Sequence, residues 1–263
     1  MLTKKAFDLK KIQRGNKALE VDKNLVEPLA KAYLERMSLD DKIEQLHGSK
    51  SSGDMGTEKG LYWSGENVEQ GIPPLKMVDG PRGLRSGLAT AFPVPMARGA
   101  SFDPALEKRV GMAIGAEVAA VGGNVLLAPT INLLRHPGWG RAQETYSEDP
   151  FHMGLMGLAF VCGAQNFVLA SPKHFALNNL EITRFEVSAE IEERALHEVY
   201  LPHFRRSILE GGAASIMSAY NKVNGTYCGE NHDLLEKILR ADWGFEGFVE
   251  SDWLLGTRST ALA

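Results

Sequence analysis

Apolar positions along this chain follow two different periods. From residue 25 to 37 they recur at helical spacing (Leu25, Val26, Leu29, Ala32, Tyr33, Met37). Ser38 then has the character of an N-cap, with Asp40 and Asp41 favouring a helix start that runs through Ile43 and Leu46. Residues 48–66 are rich in Gly and Ser and predict a long loop, a length that goes with function or mobility. After it, short apolar runs predict strands at 75–78, 94–98, 125–128, 167–171 and 213–218. A last one starts at Gly247 and ends at Asp252. Helical patterns separate them. Asp103-Pro104 opens a helix with Leu106, Val110, Ile114 and Val118 on its apolar face, and Asp149-Pro150 opens another to about Gln165. Two more are predicted over 189–210 and 234–240.

Strands separated by helices predict parallel βαβ units, and hence an α/β fold. Polar residues gather after the strands: Asp79, Lys173-His174, Tyr220 and Asp252. No G-x-G-x-x-G turn or P-loop follows any strand, so a doubly wound sheet with one switch-point crevice fits poorly. A barrel whose strand ends converge on one mouth fits better. The predicted division is residues 1–70 as a leader, helices and loop, and 71–263 as barrel.

Bulk properties narrow the function. With 263 residues, 44% hydrophobic and 24% charged, the chain can bury a large core. The net charge of −4 comes without a basic run, which argues against nucleic acid as a partner. No stretch of about 18 apolar residues points to a membrane span. The N-terminus, MLTKKAFDLKKIQRG, lacks the apolar run of a signal peptide; a cytoplasmic location is expected, with a periplasmic form from a longer precursor as the alternative. Cys162 and Cys228 share no metal-like or redox spacing and read as reduced, buried thiols. Seven histidines without clustered ligand spacing disfavour a metal-dependent hydrolase, and no cofactor is expected.

Asp79, Arg141, Lys173, His174, Tyr220 and Asp252, with Trp139 and Trp253 nearby, are the types of group that bind a polyhydroxylated ligand. Charged groups clamp hydroxyls while aromatic faces cover the apolar side of a sugar ring. Each has a plainer reading. Asp252 could cap the next helix, Arg141 could pair with Glu144, Lys173 could lie solvated at a rim, and His174 could be a satisfied core histidine. Six such coincidences at strand ends favour a site.

Five segments carry a further signal: DGPRGLR at 79–85, APTINLLRHPGWGRAQETYSEDP at 128–150, KHFALNN at 173–179, MSAYNKVNG at 217–225 and ESDW at 250–253. Together, in order and spacing, they resemble glycoside hydrolase family 3, from about Met37 to the last residue. The resemblance implies a TIM-type (β/α)₈ barrel and a retaining β-glycosidase, with a β-glucoside or oligosaccharide as substrate. Residue by residue, it implies Asp252 as nucleophile. It implies a sugar pocket of Asp79, Arg141, Lys173, His174, Arg184, Met217, Tyr220 and Trp253, with Arg85 further out near the leaving group. Asp79 would hold the distal hydroxyls, which favours a glucosidase; a β-xylosidase-type specificity is the alternative within the family. His174 is not implied as acid/base, because relatives using a histidine resemble KHFPGHG rather than KHFALNN. A non-proline cis peptide is expected at Lys173–His174 or His174–Phe175.

A retaining glycosidase needs an ionised carboxylate and a protonated carboxylic acid about 5–5.5 Å apart. Lys173 and Arg141 near Asp252 would favour its charged form. The family's usual acid/base is a Glu in a second, α/β sandwich domain, and this chain stops eleven residues after Asp252. No acid/base is therefore assigned. The barrel is expected to be incomplete at its C-terminal end, the missing domain being supplied by the same polypeptide or another chain, and the chain alone to be nearly inactive. A non-catalytic sugar-binding remnant is the rival of another class. Two positions depart from the family pattern. Ser147 stands where Gly is usual, and Glu250 stands where an apolar residue is usual. Residues two apart on a strand share a face, so Glu250 should point with Asp252. A buried, paired acid is the favoured reading, because neighbours along one strand cannot flank a glycosidic bond from opposite sides.

Overall fold

The computed structural model describes residues 23–48 and 60–259. Of the expected leader, residues 1–22 lie outside those residues, as does most of the Gly- and Ser-rich loop. Helix α1 spans Lys23–Arg36 and α2 spans Leu39–Glu44. Ser38 caps α2 reciprocally: its hydroxyl accepts from Asp41 N at 3.1 Å, and Asp41 Oδ2 accepts from Ser38 N at 2.9 Å.

The sheet begins inside the stretch read as loop, with β1 at Tyr62–Ser64 antiparallel to β2 at Leu75–Asp79. From β2 onward the main sheet is parallel and follows chain order. β2 pairs with β3 (Val125–Leu127), and β3 with β4 (Leu169–Ala170). Beyond β4 the backbone goes on pairing, Lys173 bridging Thr130 and Phe175 bridging Ser218 of β6 (Ser215–Ser218). β6 pairs in turn with β9 (Phe248–Ser251). Strands added in sequence order curl one way, as in a barrel, whereas a doubly wound sheet reverses direction at a switch point. Among the described residues this sheet does not close into a barrel.

Helices α4 (Pro104–Ala120) and α5 (Pro150–Ala164) begin where the two Asp-Pro signals predict. Asp103 and Asp149 accept from the backbone N–H groups of Leu106 (2.9 Å) and His152 (2.6 Å), and each following proline needs no donor there. The helices pack on the outer face of the sheet. Ile114, Leu126, Met153, Phe160, Phe175 and Phe204 form the fully buried centre of that layer. A smaller apolar set occupies the inner face: Met77, Val125, Leu127 and Met217, with Tyr62 and Trp253 against it. Tyr62 on β1 meets Trp253 just past β9 edge to face, ring centres 4.8 Å apart. The two ends of the sheet therefore approach each other across the interior.

Four expectations need correction. Residues 95–99 form a helix, α3 (Pro95–Gly99), where a strand is predicted at 94–98. Pro95 presets a helical φ at the first position, and Arg98 is drawn inward by Glu107, Nε to Oε2 2.8 Å. The helix predicted over 189–210 starts later and is interrupted. Residues Ser188–Ala189 form β5, which pairs with β7 (Lys222–Val223), itself hairpinned to β8 (Thr226–Tyr227). Helix α6 (Glu193–Ala195) then widens into a π turn, Leu196–Tyr200, before α7, Pro202–Leu209. Pro202 cannot donate to the preceding turn, and Leu201 N bonds five residues back to Leu196 O at 3.0 Å. The strand predicted over 167–171 keeps ladder geometry only at Leu169–Ala170. The helix predicted over 234–240 is a π-helix, Asp233–Asp242.

Candidate active site

All ten residues singled out for catalysis or binding line one cavity of about 990 Å³ at the C-terminal ends of the parallel strands: Asp79, Arg85, Arg141, Lys173, His174, Arg184, Met217, Tyr220, Asp252 and Trp253. The strands account for this convergence. Asp79 ends β2 opposite Leu127, Met217 lies in β6 opposite Glu250, and Asp252 directly follows β9. Lys173 is tied from both sides of its own backbone, N to Pro129 O at 2.9 Å and O from Ile131 N at 2.8 Å. The Lys173–His174 peptide is cis, as the resemblance implies; His174–Phe175 is trans, and the second non-proline cis peptide is Phe175–Ala176. The DGPRG turn that forms one wall needs glycine at position 83. Its φ is +129°, and a Cβ there would stand 2.1 Å from Thr90 O.

Ion pairs organise the cavity. Lys173 Nζ lies 2.9 Å from Asp79 Oδ1, and Arg85 Nη1 lies 3.7 Å from Asp79 Oδ2. Arg141 holds Glu144 at 2.8 Å and Arg184 holds Glu181 at 2.8 Å. Arg184 also stacks on both Phe185 and Tyr220, 4.8 and 4.9 Å from the ring centres. The Tyr220 hydroxyl donates to Trp253 O at 2.6 Å, fixing the backbone just after Asp252. Arg85 is the outlying member, its side chain largely exposed at the rim.

Burial and charge set the protonation states. Burial alone would raise the Asp79 pKa, but Lys173, Arg85 and Arg141 outweigh it and hold the carboxyl below its ordinary value. At Asp252 burial wins. Its pKa is raised even though Lys173, the Trp253 N–H, Arg141 and Tyr220 all favour the charged form. The expectation that the cations dominate there is thus reversed in direction. His174 is fully enclosed, and burial with Arg141, Lys173 and Arg184 drives its pKa well down, so it is neutral. Asn132 brackets it, Oδ1 accepting from the His174 N–H at 2.8 Å and Nδ2 donating to its carbonyl at 2.8 Å. The same Oδ1 is 3.2 Å from Nδ1, which must therefore carry the ring proton. The bare Nε2 faces Asp252 Oδ2 at 3.7 Å. Two acceptors facing each other make a seat for a hydroxyl donor.

The plainer readings divide. Arg141 and Glu144 are indeed an ion pair, yet they line the cavity. Lys173 is buried rather than solvated at a rim. Trp139 lies behind the cavity, its indole N–H donating to Glu181 at 3.3 Å. Glu250 is half-buried and accepts from the Ser171 hydroxyl. Sequence reasoning missed Tyr62, Glu181 and Phe185 in the lining. The three-residue spacing of Glu181 and Arg184 was a usable signal; nothing local marked Tyr62, which stands inside the stretch read as a Gly- and Ser-rich loop.

Comparison with known proteins identifies the family. The family model described as glycosyl hydrolase family 3 N terminal domain matches residues 54–261. A beta-glucosidase from Rhizobium radiobacter is 40% identical over 237 residues, covering 87% of this chain and 28% of that protein. An exo-alpha-(1->6)-L-arabinopyranosidase from Bifidobacterium breve is 39% identical over 213 residues, covering 75% of this chain and 28% of its own length. The structure of beta-glucosidase 3B from Thermotoga neapolitana in complex with alpha-D-glucose superposes with a TM-score of 0.82 at 38% identity. The match covers 86% of this chain and 34% of that one. The chain thus spans about a third or less of the proteins it matches.

Proposed function

The chain belongs to glycosyl hydrolase family 3, and from that premise we propose that its cavity takes the terminal β-D-glucosyl unit of a β-glucoside, with Asp252 as nucleophile. The observation that carries the reading is the conjunction in one cavity of a depressed carboxyl, Asp79, clamped by Lys173, with Asp252 beside neutral His174. Ionised Asp79 and Lys173 bind vicinal hydroxyls as charge-assisted acceptor and donor. Nε2 of His174 accepts from a hydroxyl that reaches toward Asp252. Trp253 and Tyr62 cover an apolar sugar face.

In the proposed reaction an Asp252 carboxylate oxygen forms a bond to the anomeric carbon as the bond to the leaving oxygen breaks. A general acid gives that oxygen its proton, and water then cleaves the glycosyl–Asp252 ester with retention. Asp79, Glu144 and Glu181 are each committed to a cation, and Glu250 shares the strand and face of Asp252. The general acid is accordingly assigned to a part of the family's polypeptide that this chain does not span. The raised Asp252 pKa fits a nucleophile that keeps some basicity.

The test is covalent trapping with 2,4-dinitrophenyl 2-deoxy-2-fluoro-β-glucoside, whose leaving group needs no proton. One fluoroglucosyl unit on the peptide carrying Asp252, abolished by D252N, is the expected result. A label on another residue, or none, overturns the assignment. The xyloside and the α-L-arabinopyranoside run in parallel separate a glucosyl pocket from a pentosyl one.

A further inference from the structure

One acid on the inner face of β9, next to the cavity-lining Asp252, has no part in those steps. β9 directs Phe248, Glu250 and Asp252 to the inner face, with Glu250 in register opposite Met217. Glu250 Oε1 accepts from the Ser171 hydroxyl, which in turn lies 3.1 Å from the Ser215 hydroxyl. Oε2 is sealed from solvent and meets no donor. A carboxylate in that position would leave a charged oxygen bare, a costly arrangement in a dry interior. A carboxylic acid carries its proton on Oε2, where an unpartnered hydroxyl costs less than an unpartnered charge, and leaves Oε1 as the carbonyl oxygen that Ser171 requires.

The surrounding charges point the same way. The ionisable groups facing Glu250 are Asp79 from β2, Lys173 beyond β4 and Asp252 from its own strand; β6 contributes Ser215 and Met217, which are uncharged. Lys173 is the only cation among these, and Asp79 already holds it at 2.9 Å. A third carboxylate would have to compete for it.

We propose that Glu250 is a proton-holding positioning residue that couples sugar binding to pH. As a neutral acid it leaves Lys173 to Asp79 and Asp252; ionised, it draws Lys173 away and loosens the clamp on the sugar hydroxyls. This rests on the sugar-pocket reading above. Burial lifts the Glu250 pKa to about 7, so the change falls near neutrality. Because sugar binding favours the neutral form, affinity is full below that pKa and falls as pH rises through it.

Two measurements on the 263-residue chain test this. The first is infrared spectroscopy of the protein without ligand. A protonated carboxyl carbonyl band should be present at about pH 6, be lost by about pH 8, and be missing from E250Q at both. The second is calorimetric titration with D-glucose across the same range. Affinity should drop with rising pH, by up to about tenfold for each unit that bound sugar raises the pKa, and E250Q and E250M should abolish that dependence. Lack of the band at pH 6 in the unsubstituted chain overturns the proposal without reference to any variant or ligand. A band that persists in E250Q, or an equal pH dependence in E250Q, also overturns it. A normal band with no glucose binding at any pH overturns the sugar-pocket reading, and the coupling with it.

Discussion

Replacing Lys173 with Met removes one charge and nearly keeps the volume, so its effect isolates the electrostatics of the clamp. The lysine side chain is 4% exposed and Asp79 is 26% exposed, so the variant strands a mostly buried carboxylate. Breaking one partner of a buried pair costs about 3–5 kcal/mol, and the quarter exposure of Asp79 brings the expectation below that range, to about 2–3 kcal/mol at pH 7. The pH dependence gives the sharper test. In the unsubstituted chain Asp79 lies below its ordinary pKa, contributing stability present above the unfolded value and lost as pH falls through the folded one. In K173M the largest influence, burial, is opposed only by the weaker Arg85 and Arg141, and the pKa rises. The variant's deficit is then present at neutral pH and relieved as Asp79 protonates. Urea unfolding followed by tryptophan fluorescence should give a difference of about 2–3 kcal/mol at pH 7 that shrinks below about 1 kcal/mol near pH 4. D79N in the K173M background should restore most of the loss at pH 7. A deficit equal at both pH values and unchanged by D79N would refute the electrostatic account and leave lost packing as the cause.

Two further predictions concern stability away from the cavity. His203 is fully buried with no partner on Nδ1, and burial lowers its pKa from 6.5 to about 3. The unfolded chain therefore binds the extra proton, and stability is full above pH 6.5 and falls below it, by about 2 kcal/mol at pH 5. H203L should flatten that slope by close to one proton in urea midpoints, and an unchanged slope would show that His203 is not responsible. Gly163 on α5 lies so close to α4 that a Cβ would stand 2.2 Å from Lys108 O. G163A should cost about 1–3 kcal/mol of overpacking in thermal melts despite its better helix propensity, and a stabilised variant would show that the helices can separate freely.

How legible the protein is from its sequence differs between levels. Local chemistry decides the elements whose signals are self-contained. Ser38, Asp103-Pro104 and Asp149-Pro150 cap helices that begin where expected, because a cap satisfies backbone donors within three residues. Short apolar runs locate β2, β3, β6 and β9, and polar groups follow where β2, β6 and β9 leave the sheet. The motif segments hold nine of the ten predicted cavity residues, most of them at a strand end or in the loop beyond one, while Arg184 lies five residues past the KHFALNN segment. What depends on distant partners is not written locally. Residues 94–98 look like a strand until Glu107 draws Arg98 inward, and 188–189 look helical until β7 pairs with them. Tyr62 enters the cavity only because the sheet curls far enough to bring β1 to Trp253. Protonation is the least local property of all. Asp79 and Asp252 are the same residue type at equivalent strand ends, yet their pKa values move in opposite directions. Lys173, Arg85 and Arg141 together outweigh burial at one, while burial outweighs the groups that favour the charge at the other. That balance of desolvation against charge is set by distances across the sheet, and only the tertiary structure supplies them.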